Sequence, residues 1–546
     1  MNFRIVSSLC KARLTDKAAY FPAYENATAL LGDRLYFSAV YDAVGLQSSK
    51  GVRAKITVKS ELAPYITVYA VEQVPVRLPH YPDAFDGDYI GHEPGLYPDL
   101  LRPTDTVYLQ QGLAGQLYFE LNVPDTLAAG FYPVTVELAA KNPEETLSAT
   151  ITVEVLSARI PEQTITYTQW FHYDCLATYY HVEVFSERHW EIIESFMKTA
   201  VKTGVNAILT PVFTPPLDTE VGGERPTVQL VDIKVKNGKY AFGFAKLKRF
   251  CEMCRRIGVE QLEIAHLFTQ WGAEHAPKIM ATVDGEYKRI FGWETEAIGE
   301  DYIGFLRVFL PALKKKLDEF GYRDRYFFHV SDEPNEKNLE SYKKARDAVW
   351  DLICDHPVRD ALSHYEFYEK GIVTQPIPTV KTADEFVAKK VPDLWVYYCC
   401  SPGHTCSNRF IAMTGNRTRV IGAQMYRAGV TGFLHWAYNF YYNRRSIAPV
   451  DPYVVTDGDY FAPAGDTFTV YPAPDGTPLT SLRSALFEQA LFDMRAMALA
   501  EEKVGRETVI AAIERADITD FKHYSTDAKK ILDLREEINR MAAKHE

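Results

Sequence analysis

Ser331-Asp332-Glu333-Pro334 sets two carboxylates side by side directly after an apolar strand-like run, Tyr326-Phe327-Phe328-His329-Val330. Where a buried strand opens into a loop, adjacent acids are costly to desolvate unless something uses them. Pro334 halts the strand, and Asn335 can start the next helix. A simpler reading makes Asp332 or Glu333 the cap of a helix from Asn335 to Ile353. Other strand-like runs end in side chains that suit a sugar. Trp436, Tyr438 and Asn439 close one, Tyr397 and Tyr398 close another, Trp271 lies a few residues past His266, and His172 and Asp174 follow Trp170. An aromatic face can floor a sugar ring while an amide or acid bonds its hydroxyls. Each can equally be packing, because only alternate strand positions face inward. His266 and His329 read as hydrogen-bonded core histidines, since neither has a third metal ligand at suitable spacing. Cys251-x-x-Cys254 lies in a helical pattern with no second pair, so no metal and no cofactor is expected.

The acids need a scaffold, and the pattern from Thr164 onward supplies one. Strand-like runs at 164–170, 207–210, 261–266, 326–330, 361–365, around 373–380, 394–398 and 432–436 alternate with amphipathic helices. After Ser186, Trp190, Ile193, Met197 and Ala200 share one helical face, and Gly204 is the expected stop. Tyr302, Phe305, Leu306, Phe309, Leu310, Leu313 and Leu317 mark a longer helix ending at Gly321. Eight such repeats in this length predict a (β/α)8 TIM-type barrel, whose site lies at the carboxyl ends of the strands. A doubly wound sheet is the alternative, but no Gly-rich phosphate loop follows any strand.

Before Pro161 the pattern differs. Leu117–Val123, Phe131–Leu138 and Ile151–Val155 read as strands with turns and no helices between them, which predicts an N-terminal antiparallel β-sandwich. The expected organisation is multidomain: a sandwich over 1–160, a barrel over 161–503 and a helical C-terminal segment over 504–546. Arg483 and Glu488 are expected to pair on the last barrel helix. A net charge of −12 argues against a nucleic-acid surface, and no apolar run is long enough to span a membrane. The first ten residues lack a secretory pattern, so the expected compartment is the cytoplasm, with reduced cysteines and sequons at Asn26 and Asn416 that carry no glycan.

The ordered set of sandwich, Phe291-Gly292-Trp293-Glu294-Thr295, Asp332-Glu333-Pro334, Gly465-Asp466-Thr467-Phe468-Thr469-Val470-Tyr471-Pro472 and Ser481-Leu482-Arg483 resembles the DUF4091 group, which includes glycoside hydrolase family 123. The resemblance spans about residues 80–500 and implies β-N-acetylgalactosaminidase-like activity on a sandwich-plus-barrel fold. Neighbouring acids do not easily straddle a glycosidic bond, whereas substrate-assisted hydrolysis needs one acid at the leaving oxygen and one carboxylate at the 2-acetamido N–H. The expectation is an exo-acting retaining β-N-acetylhexosaminidase of galactosamine type. Glu333 is its general acid and base, and Asp332 orients the acetamido group. The partner is a carbohydrate, imported as an oligosaccharide or glycoside, and a homodimer is compatible with the size. Two alternatives stay open: a glycosidase whose second carboxylate comes from Asp174, Glu263 or Glu366, and a sugar-binding scaffold without turnover.

Overall fold

The computed structural model describes residues 1–546 apart from 47, 49, 142, 143, 545 and 546. Two five-stranded sheets come first. One runs in the order Asn2–Ser7, Arg34–Asp42, Ala114–Asn122, Ile66–Val76, Gly95–Pro103, and the other in the order Asn26–Leu31, Glu144–Arg159, Gly130–Lys141, Val52–Lys59, Thr106–Leu109. Along Gly130–Lys141 the alternation is strict: Val134, Val136, Leu138 and Ala140 are buried and their neighbours are not. They share one core with Leu117, Phe119 and Leu121 of the opposite sheet, where the Phe37 and Phe119 rings stack at 4.7 Å. The pairing departs from the antiparallel expectation once, because Asn26–Leu31 lies parallel to Glu144–Arg159 at the sheet edge.

A parallel β/α region follows. Its strands are β1 (Thr166–Gln169), β2 (Ala207–Thr210), β3 (Gln261–Ile264), β4 (Tyr326–Phe327), β5 (Arg359–Ala361), β6 (Gln375–Ile377), β7 (Trp395–Tyr397) and β8 (Gly432–His435). Six pair in the order β4-β3-β2-β1-β8-β7, and β5 pairs with β6. Single parallel bridges, Phe328 to Val358 and Thr379 to Tyr397, join the two sheets. The helix Glu187–Lys202 forms where its pattern places it: Ser186 caps it by accepting from the His189 N–H, and Trp190, Ile193, Met197 and Ala200 are buried.

A four-stranded sheet in the loops after β2 and β3 was not expected. It consists of the hairpins Asp232–Lys236 with Lys239–Gly243 and Ile279–Val283 with Glu286–Phe291. The first hairpin packs Phe242 against Phe305 and Phe309 of the helix Glu300–Leu317. At the other end of the chain, helices Arg506–Arg515 and Ala528–Ala542 bury Ile513, Ile531, Leu534 and Ile538 with Met497 and Ala500 of the helix Leu482–Val504. Among the described residues no helix is long and apolar enough to cross a membrane.

Arg483 does not pair with Glu488. It forms a fully buried bidentate pair with Asp99 of the strand Gly95–Pro103, both nitrogen-to-oxygen distances being 2.8 Å, and the Tyr471 hydroxyl donates to the same carboxylate at 2.6 Å. Glu488 instead accepts from the Tyr36 hydroxyl at 2.5 Å and from Arg34. Both interactions tie the last helix of the β/α region to the N-terminal sheets. Asp99→Ala leaves the Arg483 guanidinium buried without its counter-charge, and urea unfolding is expected to show a loss of about 3–5 kcal/mol.

Candidate active site

The loops after the parallel strands enclose a pocket lined by Trp170, Leu217, Asp218, Gln270, Trp271, Asp332, Glu333, Ala361, Tyr397, Cys399, Cys400, Leu434, Trp436, Arg444 and Phe461. All lie at or beyond the carboxyl ends of the strands, where this class of fold assembles its chemistry.

Asp332 and Glu333 both reach it. Neither caps the following helix, since Asn335 does so. Its side chain accepts from the Lys337 N–H at 3.0 Å, and its own N–H donates to Asn338 Oδ1 at 2.7 Å. The acids are held through their backbone. Trp271 N–H donates to the Asp332 carbonyl at 3.0 Å, and the Ser331 hydroxyl donates to the Thr269 carbonyl at 2.7 Å, stapling the β3 loop to the β4 loop. Glu333 adopts φ +44°, Asp218 +40° and Trp271 +61°, a left-handed conformation that costs a non-glycine residue on the order of 1–3 kcal/mol. Three strained residues in one pocket mark where the fold gives up stability to aim side chains.

The two carboxylates have different surroundings. Glu333 Oε1 accepts from the Tyr397 hydroxyl at 2.7 Å. Among the described residues no donor bonds the Asp332 carboxylate. Burial pushes Glu333 above the usual carboxylate range, and Tyr397 partly offsets it. Burial, then the Glu333 charge, push Asp332 well above that range, while the His329 cation opposes them. Two neighbouring carboxylates disfavour double ionisation, so the pair holds on to one proton more tightly than a lone acid would.

Beneath them His329 bridges two fully buried acids. Its Nε2 donates to Glu263 at 2.6 Å, and its Nδ1 lies against the Arg359 carbonyl and 3.5 Å from Asp360. Burial alone would strip its proton, but Asp360 and Glu263 hold its value at about 10, so it is a cation. Glu263 also accepts from the Trp170 indole at 2.7 Å and from Thr168, and Asp360 accepts from Tyr342 at 2.5 Å. His266 stacks on the His329 ring at 4.4 Å and is held neutral by burial and by that cation. His266, His329 and Asp360 are close enough together to hold an ion, but both His329 nitrogens are already engaged.

Of the expected ligand residues, Trp436, Tyr397 and Trp271 line the pocket. Trp436 is fixed by Asp466, which accepts from its indole N–H at 2.9 Å and whose burial lifts it to about 7. The other five do not line it. Tyr438 is buried and donates to the Phe196 carbonyl at 3.1 Å, and Tyr398 packs on Phe433 and His435. Asn439 bridges the backbone N–H and carbonyl of His172 at 2.9 and 3.0 Å. His172 and Asp174 are both bound by Arg225, whose Nη2 lies 3.1 Å from the imidazole and 2.6 Å from the carboxylate. Asp174, Glu263 and Glu366 are thus no second carboxylate: the first two are buried in ion networks, and Glu366 is exposed and pairs with Lys370.

Sequence reasoning missed Trp170, Asp218, Gln270, Cys399, Cys400 and Phe461. Trp170 was within reach, as the last residue of the first strand-like run. Asp218 and Phe461 sit in long loops without a motif. Asp218 is held by the Arg445 N–H at 2.9 Å, and its N–H donates to Gln270 Oε1 at 2.5 Å. Burial raises it to about 6 against the pull of that N–H and Arg225.

Paired acids flanked by tryptophans and a tyrosine, at the mouth of a parallel β/α scaffold, are an arrangement suited to a glycoside hydrolase. A family description, "Glycoside hydrolase 123, catalytic domain", matches residues 170–500, and the chain belongs to glycoside hydrolase family 123. A family 123 glycoside hydrolase from Clostridium perfringens, whose structural analysis concerns glycolipid glycan hydrolysis, superposes with a TM-score of 0.73 at 14% identity, covering 99% of this chain and 97% of that one. More distant are a β-glucuronidase from Parabacteroides merdae (TM-score 0.30, 10% identity, 86% of this chain and 49% of that one) and an endo-β-1,4-mannanase from Thermotoga petrophila (0.34, 13%, 61% and 77%). Among curated proteins none matches the chain.

The folded state holds the Asp218 proton more tightly than the unfolded chain does. The resulting stability is complete below about pH 4 and is lost as pH rises through about 6. Asp218→Asn is therefore expected to stabilise the protein near pH 7.5 by up to about 3 kcal/mol and to change little near pH 3.5. Denaturant titrations at the two pH values measure this.

Proposed function

We propose that this chain is an exo-acting, retaining β-N-acetylhexosaminidase of galactosamine type, working by substrate-assisted catalysis at the mouth of a (β/α)8 barrel. The carrying observation is the contrast between adjacent acids: Glu333 is bonded by Tyr397, while the Asp332 carboxylate faces the same pocket with no donor among the described residues. A free carboxylate there can accept the acetamido N–H of a bound sugar. That hydrogen bond favours ionised Asp332, so the proton the pair retains moves to Glu333, where a general acid is needed. Glu333 then protonates the leaving oxygen as the acetamido oxygen attacks the anomeric carbon, and Asp332 stabilises the cationic ring that forms. Water activated by Glu333 reopens the ring, so the anomeric configuration is retained. Trp436, Trp271 and Trp170 supply apolar faces around the pyranose.

A second reading pairs Glu333 with Asp218, which lies on another loop and is raised to about 6. The two separate on the substrate's C2 group. With aryl glycosides differing only at C2 and C4, hydrolysis that disappears when acetamido becomes hydroxyl supports the first. Hydrolysis that persists, and that Asp218→Asn abolishes while Asp332→Asn does not, supports the second. No hydrolysis of any glycoside, with unaltered sugar binding in Glu333→Gln, leaves a scaffold without turnover.

Glu333→Gln is expected to lower kcat by 100-fold or more on poor leaving groups and much less on activated phenolates. Equal losses on both would remove Glu333 from the acid role. Tyr397→Phe deletes the bond that favours ionised Glu333, so the basic limb of the kcat/KM profile is expected to move to higher pH. A limb that stays in place would show that Tyr397 does not act on Glu333.

A further inference from the structure

We infer that Cys399 and Cys400 form a bidentate thiol site in the pocket wall that takes trivalent arsenicals. Consecutive residues on a strand point to opposite faces. Here the chain has left β7 at Tyr397, and the two sulfurs lie side by side at 3.8 Å, both lining the pocket and neither fully buried. The loop that carries them is pinned. Cys399 N–H donates to the Ser401 carbonyl at 3.1 Å, the Asn408 amide donates to the Cys399 and Pro402 carbonyls at 2.9 and 3.0 Å, and the Tyr89 hydroxyl donates to the Gly403 carbonyl at 2.5 Å. The pair is therefore preorganised rather than assembled by chance encounter of mobile side chains.

Two chemistries could use adjacent thiols. A direct disulfide is the poorer fit, because neighbouring Cα atoms lie only about 3.8 Å apart across a trans peptide, below the usual span of a relaxed disulfide. One larger soft atom bridging both sulfurs avoids that strain. The hydrogen bond with Cys400 and then burial keep the Cys399 thiol protonated well above the usual range, so monofunctional alkylation is slow and the second sulfur–arsenic bond has to supply the affinity. With an arylarsine oxide the balance is simple. Two As–S bonds replace the As–O bonds, both thiol protons leave on the oxygen as one water, and arsenic stays trivalent, so no oxidant is required. The aryl group then sits beside Glu333 and Tyr397 in the space a sugar would occupy. Binding stands on the thiols alone, whereas inhibition rests on the glycosidase reading.

The probe is phenylarsine oxide on the full chain, followed by intact mass and peptide mapping, with glycoside hydrolysis scored relative to each variant's own rate. The expected result is one adduct spanning Cys399 and Cys400. It is removed by 2,3-dimercaptopropanol and not by an equal concentration of 2-mercaptoethanol. Activity falls and returns with it. Cys399→Ser and Cys400→Ser should each weaken adduct formation by about 100-fold, the loss of an intramolecular second bond, and Cys10→Ser should not. An adduct that maps to Cys251 and Cys254, or that survives either single substitution, overturns the proposal. An adduct at Cys399 and Cys400 without any hydrolysis to inhibit supports the thiol site and counts against the glycosidase reading alone.

Discussion

A histidine cation held between two buried carboxylates carries the floor of this pocket. Isolated, any of the three charges would cost several kcal/mol to desolvate, and together they persist because each is bonded on more than one side. Glu263 grips the Trp170 indole and Thr168, and Asp360 grips Tyr342 and the Val330 N–H. These bonds fix the ends of β1, β3, β4 and β5 relative to one another. The backbone that presents Asp332 and Glu333 starts from that fixed point, and the cation favours ionisation of Asp332 just above it.

The upper half of the site is supported differently. Left-handed residues at Asp218, Trp271 and Glu333 are tolerated because the surrounding loops over-determine them. The segment after β7 is supported from the N-terminal region. Arg417, fully buried, pairs with Asp86 at 2.6 Å, and Gly403 lies so close to Ala84 that a Cβ there would meet its carbonyl oxygen at 2.4 Å. The connection between the strands Ile66–Val76 and Gly95–Pro103 thus shapes the loop after β7, which follows Tyr397 and bears the two thiols. Arg483 and Asp99 make the same connection deeper in the molecule.

How much of this is legible in the sequence depends on the kind of signal. The alternation of apolar runs with amphipathic helices locates seven of the eight parallel strands, because burial on both faces imposes continuous apolar segments, whereas the run at 361–365 shares only Ala361 with β5 and its Tyr365 opens a short helix, Tyr365–Glu369. The paired acids are legible because two charges after such a segment demand a reason. Side-chain direction is not. Tyr397 and Trp436 enter the pocket while Tyr398 and Tyr438 turn into the core, and short strands with irregular exits give no period from which to tell them apart. The added four-stranded sheet could have been read from Asn237-Gly238 and Asp284-Gly285, two-residue turns with positive φ at both positions, as hairpins of this type require. Asp218, Phe461 and the Cys399–Cys400 pair arrive on loops whose course depends on distant contacts, so no local pattern announces them.

The helix Ala528–Ala542 covers the edge strand Asn26–Leu31, with Asn539 donating to Thr28 at 2.9 Å and Glu536 accepting from the Thr28 N–H at 2.9 Å across more than 500 residues of chain. On a ribosome adding about 5–20 residues per second, that edge emerges roughly half a minute to two minutes before its cover. An open strand edge left waiting is a template for pairing with another nascent chain. The expression yield of this protein should therefore respond to translation speed and to chaperones that shield β edges more than to the stability of the finished fold.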